Sequence, residues 1–378
     1  MGKYYGLEFL TDFLEKMYIQ EYIPAGGSKI KFVTGRLGSG KSTLLRALGE
    51  LASVNFYQVA SFSAKQIPLN DFKYIYAEIF RQTDMEKILA GCARAIIRNM
   101  GYEPGKIGDG MTFCDYLASQ NENNALTKRE IRNQLKAMFL DNSRLDNNFA
   151  LACSMLTGSI LGHPQLEKQN RDVLMQWLSA DFSVNLPAMR MLGLSPTKIT
   201  KLNARHMLRS LAEVVHLGGC GGLLVLVDDM EALVSQDSEV RYTKMKRDDT
   251  YESIRQLIDD IDSMSYVMFV FAFDRVLVDD EKNGLKSYQA VWMRIQNEVI
   301  GTRFNRFADM INMDAMAEEA YTPEIMSRIS QKIFEENGNG QLPLSEEQCG
   351  ELKQKAKTGA FGLPLVIRRA TLGGAENV

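Results

Sequence analysis

Two short stretches of this chain carry residue types whose spacing implies phosphate chemistry. The first, Gly35-Arg36-Leu37-Gly38-Ser39-Gly40-Lys41-Ser42, fits the pattern G-x-x-x-x-G-K-[ST]. Gly35, Gly38 and Gly40 let the backbone curl until successive N–H groups point into one concavity, which suits an anion. Lys41 is placed to reach the β- and γ-phosphates of a nucleotide, the Ser42 hydroxyl to ligate Mg²⁺, and Ser39 and Thr43 lie within the same loop and helix start. The second stretch is Gly221-Gly222-Leu223-Leu224-Val225-Leu226-Val227-Asp228-Asp229-Met230-Glu231. A continuous apolar run ending in acids is how a buried parallel strand delivers carboxylates to the C-terminal edge of a sheet. Asp228 is assigned to Mg²⁺. Asp229 takes the position that orients the attacking water in hydrolytic phosphate-loop proteins, and Glu231 follows two residues on.

These residues need particular elements to hold them. Ile30-Lys31-Phe32-Val33-Thr34 reads as a strand entering the loop, and Thr43-Leu44-Leu45-Arg46-Ala47-Leu48 as a helix leaving it. Before them, residues 7–22 place Leu7, Leu10, Phe13, Leu14 and Met17 at helical spacing. Residues 54–62 read as a second strand, 266–273 as a fourth after a helix at 250–263, and 310–313 as a fifth. Strands alternating with helices imply a parallel sheet with right-handed crossovers.

The distance from Lys41 to Asp228 far exceeds what two strand–helix units need, so a helical insertion is expected over 83–215. Its helices are read at 85–100, 127–140, 146–160 and 166–179, with punctuation such as Gly162-His163-Pro164 between them. Residues 322–372 read as a small helical lid with helices at 323–335, 345–357 and 362–371. The fold class expected is α/β: a phosphate-loop NTPase sheet with a large helical insertion and a C-terminal lid. Its parts are 1–82, 83–215, 216–321 and 322–378.

Composition narrows the function classes. The 378 residues are 45% hydrophobic and 24% charged, ordinary values for a globular protein. A net charge of −3 supplies no general basic field, so any nucleic-acid contact must be local. Five scattered cysteines without a C-x-x-C pair, beside only three histidines, argue against both a zinc site and a disulfide framework. With no signal pattern and no spanning apolar run, a cytoplasmic, non-membrane protein is expected. Two local basic features stand out. Lys198, Lys201, Arg205 and Arg209 recur at helical spacing in a stretch, 195–212, that contains no acid. Arg241, Lys244, Lys246 and Arg247 crowd one loop. Either could neutralise phosphates of double-stranded DNA; a solvated face or a subunit contact is the alternative.

The order of elements is that of the AAA+ ATPases, and several stretches resemble the ATP-binding proteins of BREX-type phage-defence systems, distantly like origin-recognition ATPases. The resemblance rests on Lys201-Leu202-Asn203-Ala204-Arg205 with Leu208-Arg209-Ser210-Leu211-Ala212, on the acidic strand, and on Gly284-Leu285-Lys286-Ser287-Tyr288-Gln289-Ala290-Val291-Trp292-Met293-Arg294. It spans most of residues 20–370 and implies an ATPase working with defence-system partner proteins on DNA. It also implies a homo-oligomer, because AAA+ proteins place before the fifth strand an arginine that reaches a neighbour's γ-phosphate. Arg303 and Arg306 stand there, either as such fingers or as surface arginines, with Arg275 and Arg294 as weaker candidates.

This chain departs from the family pattern at two points. It has Asp228-Asp229-Met230-Glu231 where the family shows Asp-Glu-x-Glu, so the carboxylate at 229 is one methylene shorter and slow hydrolysis is expected. In the lid, Gly362-Leu363-Pro364-Leu365 lacks the arginine of Gly-x-Pro-Arg, leaving Arg368 or Arg369 as substitutes. Two functions therefore stand: an ATPase assembling on DNA, or a nucleotide-dependent protein scaffold that hydrolyses little and touches no DNA.

Overall fold

The computed structural model describes residues 6–235, 238–299, 304–337 and 343–373. Five strands form one sheet: β1 (Ser28–Gly35), β2 (Gln58–Ser63), β3 (Leu223–Asp228), β4 (Val267–Asp274) and β5 (Met310–Asn312). Their order across the sheet is β2-β3-β4-β1-β5, and every pairing is parallel. Parallel pairing puts all C-terminal ends on one edge. There Gly35 stands opposite Asp274, Thr34 opposite Asn312, and Ser63 opposite Asp228.

Side chains alternate across the strands, so the sheet has two buried faces. Ile30, Phe32, Val225, Val227, Phe269 and Phe271 face the helices of the long connection between β2 and β3. Val33, Leu224, Leu226, Met268 and Val270 face the helix Lys41–Val54, the N-terminal helix and the C-terminal helices. The long connection shares one continuous apolar core with the sheet, extending through Trp177, Phe149 and Leu211. Its helices include Phe72–Gln82, Met85–Asn99, Asn147–Leu161, Lys168–Leu178 and Ala204–Leu217. The C-terminal helices, expected from the sequence to form a lid and named so here, are Pro323–Asn337, Glu346–Ala356 and Leu363–Thr371. Among the described residues, no helix is long and apolar enough to cross a membrane.

Three elements differ from the sequence reading. The second strand starts at Gln58, not near 54, because the preceding helix runs on through Val54 and Asn55 N–H still donates to Leu51 O at 3.1 Å. Helix hydrogen bonding overrides the β-forming side chains of Val54 and Phe56 there. The helix before β4 spans Lys244–Asp260, because the Thr243 hydroxyl caps it by accepting from Lys246 N–H. Lys244, Lys246 and Arg247 thus sit in its first two turns rather than in a loop.

Finally, Lys198, Lys201, Arg205 and Arg209 do not share a helical face. Residues 195–203 precede the helix Ala204–Leu217, and Trp177 Nε1–H, donating to Thr197 O at 2.7 Å, helps hold them off it. Lys198 donates to Phe182 O, Lys201 pairs with Asp249 at 3.1 Å, and Arg205 pairs with Asp260 at 2.9 Å.

Candidate functional site

The site is built at the C-terminal edge of the sheet. β1 ends at Gly35 and the chain curls through Gly38 (φ 76°) and Gly40 (φ 98°) before the helix at Lys41. Both angles lie in the left-handed region, which glycine enters without steric cost. The Lys41 ammonium donates to Gly35 O (2.8 Å) and Arg36 O (3.0 Å), and lies 3.5 Å from the Asp274 carboxylate at the end of β4. Ser39 is buried and its hydroxyl has no hydrogen-bond partner among the described residues; Ser42 is exposed and Thr43 half-buried at the helix start.

The acids at the end of β3 occupy the same edge. Asp228 accepts from Asp229 N–H at 2.8 Å. Asp229 itself has φ 58°, a conformation costly for most residues but tolerated by Asp. Its carboxylate accepts from the Ser63 hydroxyl at 2.6 Å and from the Lys65 ammonium at 2.7 Å. Glu231 accepts from Asp274 N–H at 3.0 Å and stands 3.9 Å from Lys65. One polar network therefore joins the ends of β2, β3 and β4 to Lys41.

The electrostatics follow from this geometry. Burial pushes the Asp229 carboxyl up, but the hydrogen bonds from Lys65 and Ser63 outweigh it and hold the group below the usual carboxylate range. Glu231 goes the other way. Burial raises it, and the Asp274 amide offsets this only in part. Lys65 is raised, first by its hydrogen bond to Asp229.

Ser63, Lys65 and Asp274 did not stand out in the linear chain. The available signal was position: in a parallel sheet, the residue ending each strand faces the same edge as the phosphate loop. Ser63 and Asp274 end β2 and β4, and Lys65 lies two residues past β2.

The arginines separate. Arg303 lies outside the described residues. Arg306 is exposed and stacks over the rings of Phe13 (4.9 Å) and Phe307 (5.3 Å). Its segment is anchored by Lys31, which is fully buried on β1 and donates to Phe307 O (3.0 Å) and Ala308 O (2.6 Å). Arg275 pairs with Asp279 at 3.0 Å, and Arg294 with Asp259 at 2.6 Å, so both meet acids of their own chain. In the lid, Leu365 lies against Gly38 of the phosphate loop. Arg369 stacks on Phe361 at 4.3 Å and Arg368 is exposed.

A cleft of about 790 Å³ adjoins the loop, bounded by Gly35, Arg36, Asn312, Trp292 and Lys357. It includes neither Lys41 nor the acids of β3, so it lies beside the carboxylate–lysine network.

An inward-curled glycine loop, a lysine and a set of carboxylates on one sheet edge form an arrangement suited to binding a phosphate chain with its counter-cation. Comparison with known proteins agrees with that chemistry. No curated protein matches the chain. The family model described as BREX system ATP-binding protein BrxC/D matches residues 11–372. The chain belongs to that family.

Proposed function

We propose that this protein binds ATP with Mg²⁺ at the loop 35–42 and acts as a slow AAA+-like ATPase within a BREX-type defence complex. The observation that carries the reading is the short path from Lys41 to the acids. Lys41 meets Asp274, whose amide holds Glu231; Glu231 shares Lys65 with Asp229, whose N–H donates to Asp228. The strand order β2-β3-β4-β1-β5 and the C-terminal helical lid support the AAA+-like assignment.

Mg²⁺ takes one or two carboxylates plus phosphate oxygens and water rather than a cage of protein ligands. The donors here suit that habit: Ser42 is exposed in the first turn of its helix and Asp228 ends β3. Among the described residues, no group of three or more His, Cys, Asp or Glu side chains forms a metal cage. Bound there, the ion would neutralise phosphate charge. The chain's own residues divide the remaining work. The loop amides and Lys41 orient the phosphates, and Asp229 serves as the base or water-orienting group.

Slow turnover follows from how Asp229 is held. Its short side chain accepts from two donors already, and a water approaching it must compete with Lys65 and Ser63. The same observation supports a second reading, a nucleotide-dependent scaffold for defence-system proteins. The ion pairs of Lys201 and Arg205 favour that reading as well, since they leave less free positive charge for double-stranded DNA. A homo-oligomer completed by Arg306 from a neighbour belongs to the first reading.

The deciding experiment measures Mg²⁺-dependent ATP hydrolysis with and without double-stranded DNA over a range of salt, beside Lys41→Ala. Turnover that rises with DNA, weakens with salt and disappears in the variant supports the DNA-responsive ATPase. Tight ATP binding with negligible turnover in both conditions supports the scaffold.

A further inference from the structure

The lid meets the phosphate loop along its backbone. The Arg36 guanidinium donates to two lid carbonyls, Ala356 O at 2.8 Å and Gly359 O at 2.6 Å. Its Nε lies 3.2 Å from the Asp314 carboxylate, which also accepts from Arg36 N–H at 2.8 Å. One residue on, Gly362 N–H donates to Leu37 O at 2.9 Å, and Leu365 N–H is shared between Gly38 O at 3.2 Å and Gly362 O at 3.1 Å. Leu37 and Phe361 form a parallel β-bridge. The approach is close enough that a methyl group on Gly362 would stand 2.4 Å from Ser39 Cα. Four consecutive loop residues, 36 to 39, thus touch lid residues between 356 and 365.

In a loop whose amides turn inward toward an anion, the carbonyls turn outward. The lid takes two of those carbonyls, and so holds from behind the curl that presents the amides. Arg36 ties this contact to the lysine of the loop, because its own carbonyl accepts from Lys41. A phosphate that draws Lys41 away changes the partners of Gly35 O and Arg36 O, at the residue that carries the latch.

We infer that Arg36 is a positioning residue that latches the lid to the back of the phosphate loop, making lid opening and nucleotide release one event. A preorganised loop binds its ligand longer than one that must be ordered on binding. The inference rests on the ATP-binding reading, and its test has one arm that does not.

The experiment compares the full chain with Arg36→Ala and Arg36→Lys. One arm follows amide hydrogen exchange at Gly362, whose N–H donates across to Leu37 O, without nucleotide; the other follows release of a fluorescent ATP analogue. Losing both hydrogen bonds to the lid carbonyls, and the Asp314 ion pair with them, should speed release by about tenfold or more in Arg36→Ala and raise exchange at the Gly362 amide. Arg36→Lys should fall between, because an ammonium keeps the charge but not the planar group that reaches both carbonyls through Nη1 and Asp314 through Nε at once. Should Arg36→Ala not fold, Arg36→Lys carries the test. Release at the wild-type rate or slower overturns the coupling, whatever exchange does. Unchanged exchange overturns the latch itself. A wild-type chain that binds no nucleotide fails the ATP reading and takes the coupling with it, while the exchange arm still decides the latch.

Discussion

The Lys65 ammonium lies 2.7 Å from the Asp229 carboxylate, bridging the end of β2 to the end of β3 across the edge that carries the phosphate loop. Ser63 holds the other oxygen at 2.6 Å. The carboxylate is therefore held below the usual carboxylate range and restrained at once, while burial raises Glu231 in the same network.

Removing Lys65 should move the acid limb of the pH–rate profile. A base acts only when deprotonated, so activity falls as pH drops through its pKa. In the wild type Asp229 is held below the usual carboxylate range, and the limb should lie correspondingly low. In Lys65→Ala, burial is opposed by the Ser63 hydrogen bond and the more distant Lys41 charge but no longer by Lys65, and the limb should shift to higher pH. An unmoved limb would show that Asp229 is not the titrating base.

Lengthening the same side chain tests reach. In Asp229→Glu the carboxylate gains one methylene and extends beyond its two present donors. Turnover should rise by about tenfold or more, within the range that a well-placed general base contributes. The measurement is steady-state ATP hydrolysis at saturating nucleotide. No gain would place the limit elsewhere in the cycle.

Gly38 combines a positive φ of 76° with the lid packed against it, and a methyl there would meet Leu365 Cβ at 2.3 Å. Gly38→Ala should add about 1–3 kcal/mol of local strain and abolish tight nucleotide binding. Gly105→Ala is the control. No atom lies within 4 Å of a methyl there and its φ is not positive, so binding and stability should be unchanged. Equilibrium titration with a fluorescent nucleotide, beside circular dichroism, reads both variants.

Lys31 is fully buried and fastens Phe307 O and Ala308 O. Lys31→Met keeps the volume but strips both carbonyls of their donor, at a cost of about 1–3 kcal/mol. Faster hydrogen exchange over 304–312 should accompany it. Lys29→Met removes a partly exposed partner of Asp309 and should cost under about 1 kcal/mol. Equal effects from the two variants would mean that Lys31 does not anchor the segment bearing Arg306.

How much was legible in the linear chain depended on range. The helix Met85–Asn99 and the strand Leu223–Asp228 follow from periodicity and apolar runs that a short window contains. The helix Lys244–Asp260 begins before the start that periodicity predicts, because its N-terminus depends on one Thr243 cap. The basic stretch 195–212 looked like a single face because spacing alone cannot show that Trp177 and Asn148 hold its first half away from a helix.

The glycine loop, the acidic strand end and the alternation of strands and helices are set by the linear chain. Each of these is written in neighbouring residues: glycines where φ must be positive, and apolar runs where a strand is covered on both faces. Only the tertiary structure decided what surrounds Asp229 and what backs the loop. Lys65 reaches Asp229 from 164 positions away, and Arg36 reaches Ala356 across 320. Parallel strand ends and a docked lid bring such residues together, and no local rule of propensity or spacing encodes their pairing.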